Sequence, residues 1–466
     1  MSALVDQLPG LVERTAAIAV TGQGDGTWLV GRDDKPVGDA WLWLDSRSAP
    51  VVQRMRELDS DLLRFSLTGS GLNSCQQGMQ LAHMQSAMPD VLMQSETALH
   101  CKDWLYLKLT GERATDPSEA CFTFGNFRTR QYDERVIESL GLTGQRALLP
   151  PIVDGVEQLH KLTHDAATQT GFLQGTPVCL GYVDVACTAM GAGIYSRTGS
   201  AGCSIVGSTG MHMLSSSDSE VQLNKQRTGY VMVLPVPGVV SQIQSNMAAT
   251  LNIDWLLDMA GDLIADLGPT LSRSQLLEQV DRWASAGQVG SLLYHPYISE
   301  AGERGPFVDN NARASFIGLN TTHRFPDMVR SVLEGLGLAS ADCYSTMGVS
   351  PSEIRLSGGA ARSSVLRSIL SAANATPVRY SSRAEAGAAG AAMMAAVSLG
   401  IYETMDDCVD VWVTPLLSEP ELPDAELVAI YQSLLPNYVS TREALTPTWS
   451  AMNSGPSVSR KEICDE

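Results

Sequence analysis

No window of the 466-residue sequence approaches an unbroken apolar run of about 18 residues, which argues against a transmembrane helix. The opening MSALVDQLPGLVERTA lacks a basic segment followed by an apolar one, so it does not read as a secretory signal. Nine cysteines are present, but none forms a CxxC pair, and the seven histidines show no ligand spacing. That pattern speaks against a zinc site and for reduced, mostly buried thiols in a cytoplasm. Basic residues are scarce: 32 Lys and Arg stand against 51 Asp and Glu, a formal net charge of −19. So acidic a chain is a poor partner for nucleic acid or an anionic membrane surface. It is not thereby a poor partner for a nucleotide, which arrives with Mg²⁺ and meets local N–H donors rather than the global field. Negative charge also simply keeps a protein soluble. Common catalytic signatures are missing as well. There is no GxxxxGK[ST], HExxH or GxSxG, and Gly191-Ala192-Gly193 lacks the third glycine of the dinucleotide fingerprint.

What is present describes an ordinary globular protein, with 44% hydrophobic residues and a mean hydropathy of −0.01. The length favours two large domains. Apolar strands alternate with helices, which predicts an α/β architecture. Strands are expected over residues 16–20, 28–30, 176–182 and 354–356, with a turn at 33–36. Helices are expected over 51–58, 77–88, 102–109, 185–194, 327–345, 363–375 and 385–399, the 102–109 helix ending at Gly111. The first domain spans 1–195 and the second 196–450. The polar tail over 451–466 is expected to be disordered.

The most informative stretch is 181–210, GYVDVACTAMGAGIYSRTGSAGCSIVGSTG. An apolar strand ends on Asp184, an Ala/Gly-rich helix follows, and a second apolar run ends in Gly207-Ser208-Thr209-Gly210. Phosphoryl transfer needs a base for a hydroxyl proton and backbone N–H groups for phosphate oxygens. Taken singly, Asp184 reads as a helix cap and Gly207–Gly210 as a hairpin turn. A carboxylate at a helix N-terminus is also expected to be held ionised, as a base requires. Gly358-Gly359 lies between a strand and a helix, the geometry that lets a nucleotide lie on backbone N–H groups, although it also fits a tight connection. Gln23 and Asp25 follow a strand, where polar groups often face a cleft. Trp43, Asp45 and Arg47 mix an aromatic, a carboxylate and a guanidinium as hydroxyl-rich ligands require; the alternative is a surface Asp/Arg pair worth little. The 385–399 helix reads first as close packing.

These features together resemble the FGGY carbohydrate kinases of the actin-like ATPase superfamily. The most specific match is Ala314-Ser315-Phe316-Ile317-Gly318-Leu319, followed by Asp327-Met328 and Ser331-Val332-Leu333-Glu334, which fits the family's C-terminal signature. Its TGQ element appears as Thr21-Gly22-Gln23, its W-x-D-x-R as Trp43, Asp45 and Arg47, and its GER-x-P as Gly302-Glu303-Arg304 and Pro306. The glycine pair is Gly358-Gly359 and the GAA-rich helix falls at 387–396. The resemblance covers essentially residues 10–450. It implies two ribonuclease H-like domains with a cleft between them, and ATP with Mg²⁺ as cofactors. It also implies transfer to a primary hydroxyl of a small sugar alcohol. The phrases VTGQGDGTWL, HCKDWLYLKLTG, RATDPSEA and YHPYISEAGERGPF resemble the branch that acts on erythritol. By carry-over, Asp184 is the general base, and Gly207, Ser208, Thr209 and Gly210 form a phosphate hairpin. Gly358 and Gly359, with Arg362 nearby, border the nucleotide. Gln23, Asp25 and Asp45 line the polyol side, supported by Trp43 and Arg47. No residue is assigned to the metal. Glycerol-type relatives carry Arg-Glu where Gly24-Asp25 stand, which favours a longer polyol. Dimers are common among similar kinases, so a homodimer is an allowed assembly.

One departure stands out. The family opens with a β-hairpin carrying Asp-x-Gly-Thr, and none is found; Asp25-Gly26-Thr27 has the wrong spacing and belongs to the substrate element. Three strands and a helix, on the order of 50–70 residues, are expected to be missing. Their loss removes half of the phosphate clamp and leaves sheet edges unpaired. A start codon placed too late is the favoured explanation. Two alternatives remain: another family activity (xylulose, ribulose or glycerol phosphorylation), or a non-catalytic sugar sensor.

Overall fold

The computed structural model describes residues 1–194, 201–268 and 270–453, so the expected domain boundary at 195 and the tail beyond 453 lie outside the described residues. One parallel strand pair in each half positions the site. In the first half, β1 (Ile18–Val20), β2 (His160–Lys161) and β3 (Pro177–Leu180) form a sheet in the order β1-β3-β2. β1 and β3 run parallel with Val20 beside Leu180, and β2 is antiparallel to β3. Val178, Cys179 and Leu180 are all fully buried, as befits a parallel strand covered on both faces. Among the described residues β1 has β3 as its one strand partner.

The second half is built on β4 (Ala201–Val206), β5 (Gly210–Ser217), β6 (Tyr230–Val233), β7 (Val239–Asn246), β8 (Glu353–Ser357) and β9 (Val378–Tyr380). They form one sheet in the order β6-β7-β5-β4-β8-β9. β4 and β5 are the antiparallel arms of the hairpin turning at 207–209, and β4 pairs in parallel with β8, Ile205 beside Ser357.

Five helices position the site. α1 (Cys101–Thr110) closes on Gly111 in the left-handed conformation (φ 77°), as its sequence requires. α2 (Pro117–Thr123) is capped by the Asp116 carboxylate, which accepts from the Ser118 N–H at 2.8 Å. α3 (Asp184–Gly191) follows β3, α4 (Phe325–Thr346) is buried over most of its length, and α5 (Ala386–Ser398) is the Ala/Gly-rich helix. α5 packs on α3 at backbone distance. A Cβ on Gly191 would lie 1.9 Å from the Ala386 carbonyl oxygen, and one on Gly390 would lie 2.0 Å from that of Cys187. Small residues are therefore obligatory on both helices, and packing accounts for the α5 composition. Around this contact one core draws Phe122, Tyr182 and Cys187 from the first half together with Met213, Val231 and Met393 from the second.

Element ends differ from the sequence-based ranges by one to a few residues, the ordinary uncertainty of helix and strand termini. The final helix, Ala425–Asn453, runs past Trp449, so residues 451–453 are helical where the tail was expected to begin. No described helix is long and apolar enough to cross a membrane. Gly390→Ala is predicted to destabilise the protein by about 1–3 kcal/mol, because overpacked backbone must move apart. Gly144→Ala, where a Cβ meets nothing within 4 Å, should leave the denaturation midpoint unchanged; equal midpoints for the two variants would contradict the α3–α5 contact.

Candidate active site

Each parallel strand pair delivers two chain segments side by side at its carboxyl end, where open α/β sheets bind ligands. In the first half β1 runs into Thr21-Gly22-Gln23-Gly24-Asp25 and β3 into Gly181-Tyr182-Val183-Asp184. Three hydrogen bonds lash the segments together. The Gly181 N–H donates to the Val20 carbonyl at 2.8 Å, the Thr21 hydroxyl to the Tyr182 carbonyl at 2.8 Å, and the Asp184 N–H to the Gly22 carbonyl at 2.9 Å.

These segments form one wall of a cleft of about 450 Å³. Gln23, Asp25, Trp43 and Asp184 line it from the first half, and Thr209 and Arg304 from the second. Asp184 is half-buried on the first turn of α3. Burial pushes its pKa up to about 6, the nearby Asp25 charge adds to that, and a hydrogen bond from the Val185 N–H opposes it. The helix terminus was expected to hold this carboxylate ionised; desolvation outweighs it. Asp25 adopts φ 60° and is followed by Gly26 at φ 78°, where a Cβ would lie 2.5 Å from the Trp41 carbonyl oxygen. One Asp25 oxygen accepts from the Cys75 thiol at 3.1 Å; the other is buried without a partner, and burial raises its pKa.

The sequence-predicted residues do not all converge. Trp43 reaches the rim, 40% exposed. Asp45 and Arg47 are absent from the cleft wall: they form a bidentate pair, Arg47 Nη2 to Asp45 Oδ2 at 2.5 Å. The Arg47 guanidinium also lies 3.5 Å from the centre of the Trp41 ring. In the empty protein these two side chains are thus engaged with each other and with the Trp41 ring, outside the cleft wall. Thr209 faces the cleft, and its hairpin is held from behind. The Gly207 and Ser208 carbonyls accept from the Thr250 and Ala249 N–H groups at 2.9 and 2.8 Å, and the Gly207 N–H donates to the Thr209 carbonyl at 3.1 Å. Gly210 is the buried first residue of β5. Gly358 (φ 91°) sits against the end of β4, where a Cβ would be 2.8 Å from the Val206 carbonyl oxygen. Gly359 begins the 3₁₀ turn Gly359–Arg362, with nothing within 4 Å of its Cβ position, and Arg362 is exposed. The two glycine turns thus stand at neighbouring strand ends, leaving an open ledge beside the cleft. Among the described residues no Asp-x-Gly-Thr hairpin faces Gly207–Gly210.

Cleft residues that sequence reasoning did not assign to the site include Cys75, Glu119, Tyr230 and Arg304. Glu119 lay within RATDPSEA and Arg304 within the GER element, each visible only as a family mark. Among the described residues no group of three His, Cys, Asp or Glu could hold a metal ion.

Residues 1–191 match the N-terminal domain of the FGGY family of carbohydrate kinases, and residues 202–399 match its C-terminal domain. The chain belongs to the FGGY family of carbohydrate kinases. It is 59% identical over 449 residues to an erythritol kinase of Brucella abortus, covering 96% of this chain and 86% of the relative. It is 28% identical over 437 residues to a xylulose kinase of Bacillus subtilis, covering 90% and 81%. Among solved structures, a ligand-bound xylulose kinase from Lactobacillus acidophilus superposes with a TM-score of 0.86 at 20% identity, covering 97% of this chain and 88% of that one. As an FGGY kinase the protein is a phosphotransferase, and ATP is the family's phosphoryl donor.

Behind the cleft this FGGY kinase buries an ion cluster. Lys102 is 1% exposed, and its ammonium lies 2.6 Å from Asp103 Oδ1 and 2.5 Å from Asp116 Oδ2. The paired carboxylates push the Lys102 pKa up, and Lys102, with His100, lowers that of Asp103 to about 2 against the cost of burial. Asp116 in turn accepts from the Ser118 hydroxyl, whose oxygen accepts the Val183 N–H at 3.2 Å, one residue before Asp184. Lys102→Met removes the cation and strands two buried carboxylates. It is predicted to cost about 3–5 kcal/mol in denaturant unfolding; a loss below 1 kcal/mol would show the cluster to be dispensable.

Proposed function

We propose that this FGGY kinase transfers the γ-phosphoryl group of ATP to a primary hydroxyl of a small sugar alcohol, erythritol, with Asp184 as general base. The observation that carries the reading is the position of Asp184: at a parallel-strand end, in a cleft between the two halves, with burial moving its pKa to about 6. A base works best with a pKa near the operating pH. The 59% identical relative named erythritol kinase supports the substrate. So does Gly24: a Cβ there would lie 2.5 Å from Val183 Cγ2 and 2.9 Å from Glu119 Oε1, so the arginine of glycerol-type relatives has no room.

In the reaction the Asp184 carboxylate takes the hydroxyl proton as the polyol oxygen bonds to the γ-phosphorus and the bond to the β–γ bridging oxygen breaks, releasing ADP. Backbone N–H groups of the Gly207–Gly210 turn and the Gly358-Gly359 ledge hold phosphate oxygens without side-chain bulk. Mg²⁺ bound with ATP would supply neutralisation of phosphate charge. Closure of the two halves would exclude water as a competing acceptor.

Asp184→Asn is predicted to lower kcat about 10²–10⁴-fold while leaving circular dichroism and thermal midpoint intact. Turnover near the parent value would rule out the base. The active form is the carboxylate, and its pKa is raised to about 6. Log kcat/KM should therefore fall with unit slope as pH drops below about 6 and level off above it; a profile flat from pH 5 to 7 would contradict the assignment. In an ADP-coupled assay erythritol should give a higher kcat/KM than xylulose, ribulose or glycerol.

A further inference from the structure

We propose that Glu119 recognises a second hydroxyl of the polyol, one that is not phosphorylated. The inference rests on the polyol-kinase reading above and adds to it a specificity determinant. Glu119 is on the first turn of α2, 1% exposed, and faces the cleft. Its Oε1 has no hydrogen-bond partner, an arrangement that buried polar groups avoid unless a ligand supplies what is missing. The carboxyl lies against Gly24, between Gln23 and Asp25.

Behind Glu119 lies His100, close to the carboxyl but not hydrogen-bonded to it. His100 Nε2 lies 3.5 Å from Glu119 Oε2, while His100 Nδ1 meets Asp103 Oδ2 at 3.1 Å. Asp103 is fixed by Lys102 and by the His100 N–H at 3.1 Å. Two further buried atoms of cleft residues are equally unpartnered, Asp25 Oδ1 and Arg304 Nε. Two carboxyl oxygens and one guanidinium N–H left open on one cleft suit a ligand whose every polar group both donates and accepts: vicinal hydroxyls rather than a carbonyl or an apolar chain. Burial pushes the Glu119 pKa up to about 8, against the pull of His100 and Lys102 and with Asp116 and Asp25 adding to it. A neutral carboxylic acid there both donates and accepts, as glutamine does.

The test is a matrix of kcat/KM for wild type, Glu119→Gln and Glu119→Leu against erythritol, butane-1,2,4-triol, butane-1,2,3-triol and butane-1,4-diol, with folding checked by thermal melting. Wild type should disfavour at least one triol relative to erythritol by about tenfold or more, because a lost hydroxyl leaves a buried group unpaired. Glu119→Gln should keep that discrimination to within about threefold, and Glu119→Leu should abolish it. Should leucine prevent folding, glutamine carries the test through retained discrimination. If the variants slow all four substrates by one common factor, or change none, Glu119 is merely structural and the proposal falls. The same holds if glutamine, once folded, loses the discrimination. If wild type phosphorylates erythritol and the triols equally, the Glu119 role fails alone; if it phosphorylates none of the four, the polyol reading fails with it.

Discussion

One buried cation holds the working half of this kinase together. Lys102 joins Asp103 on its own helix to Asp116 at the start of the next. From Asp116 the contacts run through Ser118 to the Val183 N–H, and from Asp103 through His100 towards Glu119. The segment that enters Asp184 is thus tied to one ammonium group, and Glu119 borders the same cluster. An ion cluster replaced by well-packed apolar residues is often no less stable. What such residues cannot do is present oriented acceptors to a neighbouring backbone, so the cluster is best understood as a device for placement.

Placement matters because the cleft is built from groups with unfinished hydrogen bonding. Burial raises the carboxyls of Asp25, Glu119 and Asp184 without neutralising them by a direct ion pair to Lys or Arg. Glu303 is fixed more fully on one side: its Oε1 accepts from the Met247 and Arg304 N–H groups at 2.8 and 2.9 Å, which holds the loop that brings Arg304 to the cleft, while its Oε2 is buried without a partner. Open carboxyls cost stability in an empty protein, and on the proposed reading they would regain it from polyol hydroxyls, which is how a polar pocket discriminates. The α3–α5 contact serves the same end. Glycine-to-carbonyl packing ties the helix that begins at Asp184 to the second half of the chain.

Much of this was legible in the sequence where the physics is local. The strand ending before Asp184, the Gly207–Gly210 turn, the Gly111 helix stop and the small residues of α5 each follow from a neighbouring residue's conformational needs. The two-domain α/β reading followed from their alternation. Glu119, Cys75, Tyr230 and Arg304 could not be found that way, because chain segments far apart in sequence bring them to the cleft. The mutual pairing of Asp45 and Arg47, two residues apart, outside the cleft wall was not foreseen either, because it is a choice of side-chain rotamers that the sequence leaves open. The Asp184 shift was also out of reach, since a helix terminus shows in sequence while the depth of burial does not.

The central claim is geometric: a primary hydroxyl of the polyol comes within reach of Asp184 while the rest of the molecule is read by the surrounding wall. A crystal structure with erythritol bound tests it most directly. The account predicts a terminal hydroxyl oxygen about 2.6–3.2 Å from an Asp184 carboxylate oxygen, inside the cleft and beside Gly24. Erythritol bound elsewhere, or bound there with no terminal hydroxyl near Asp184, would contradict it.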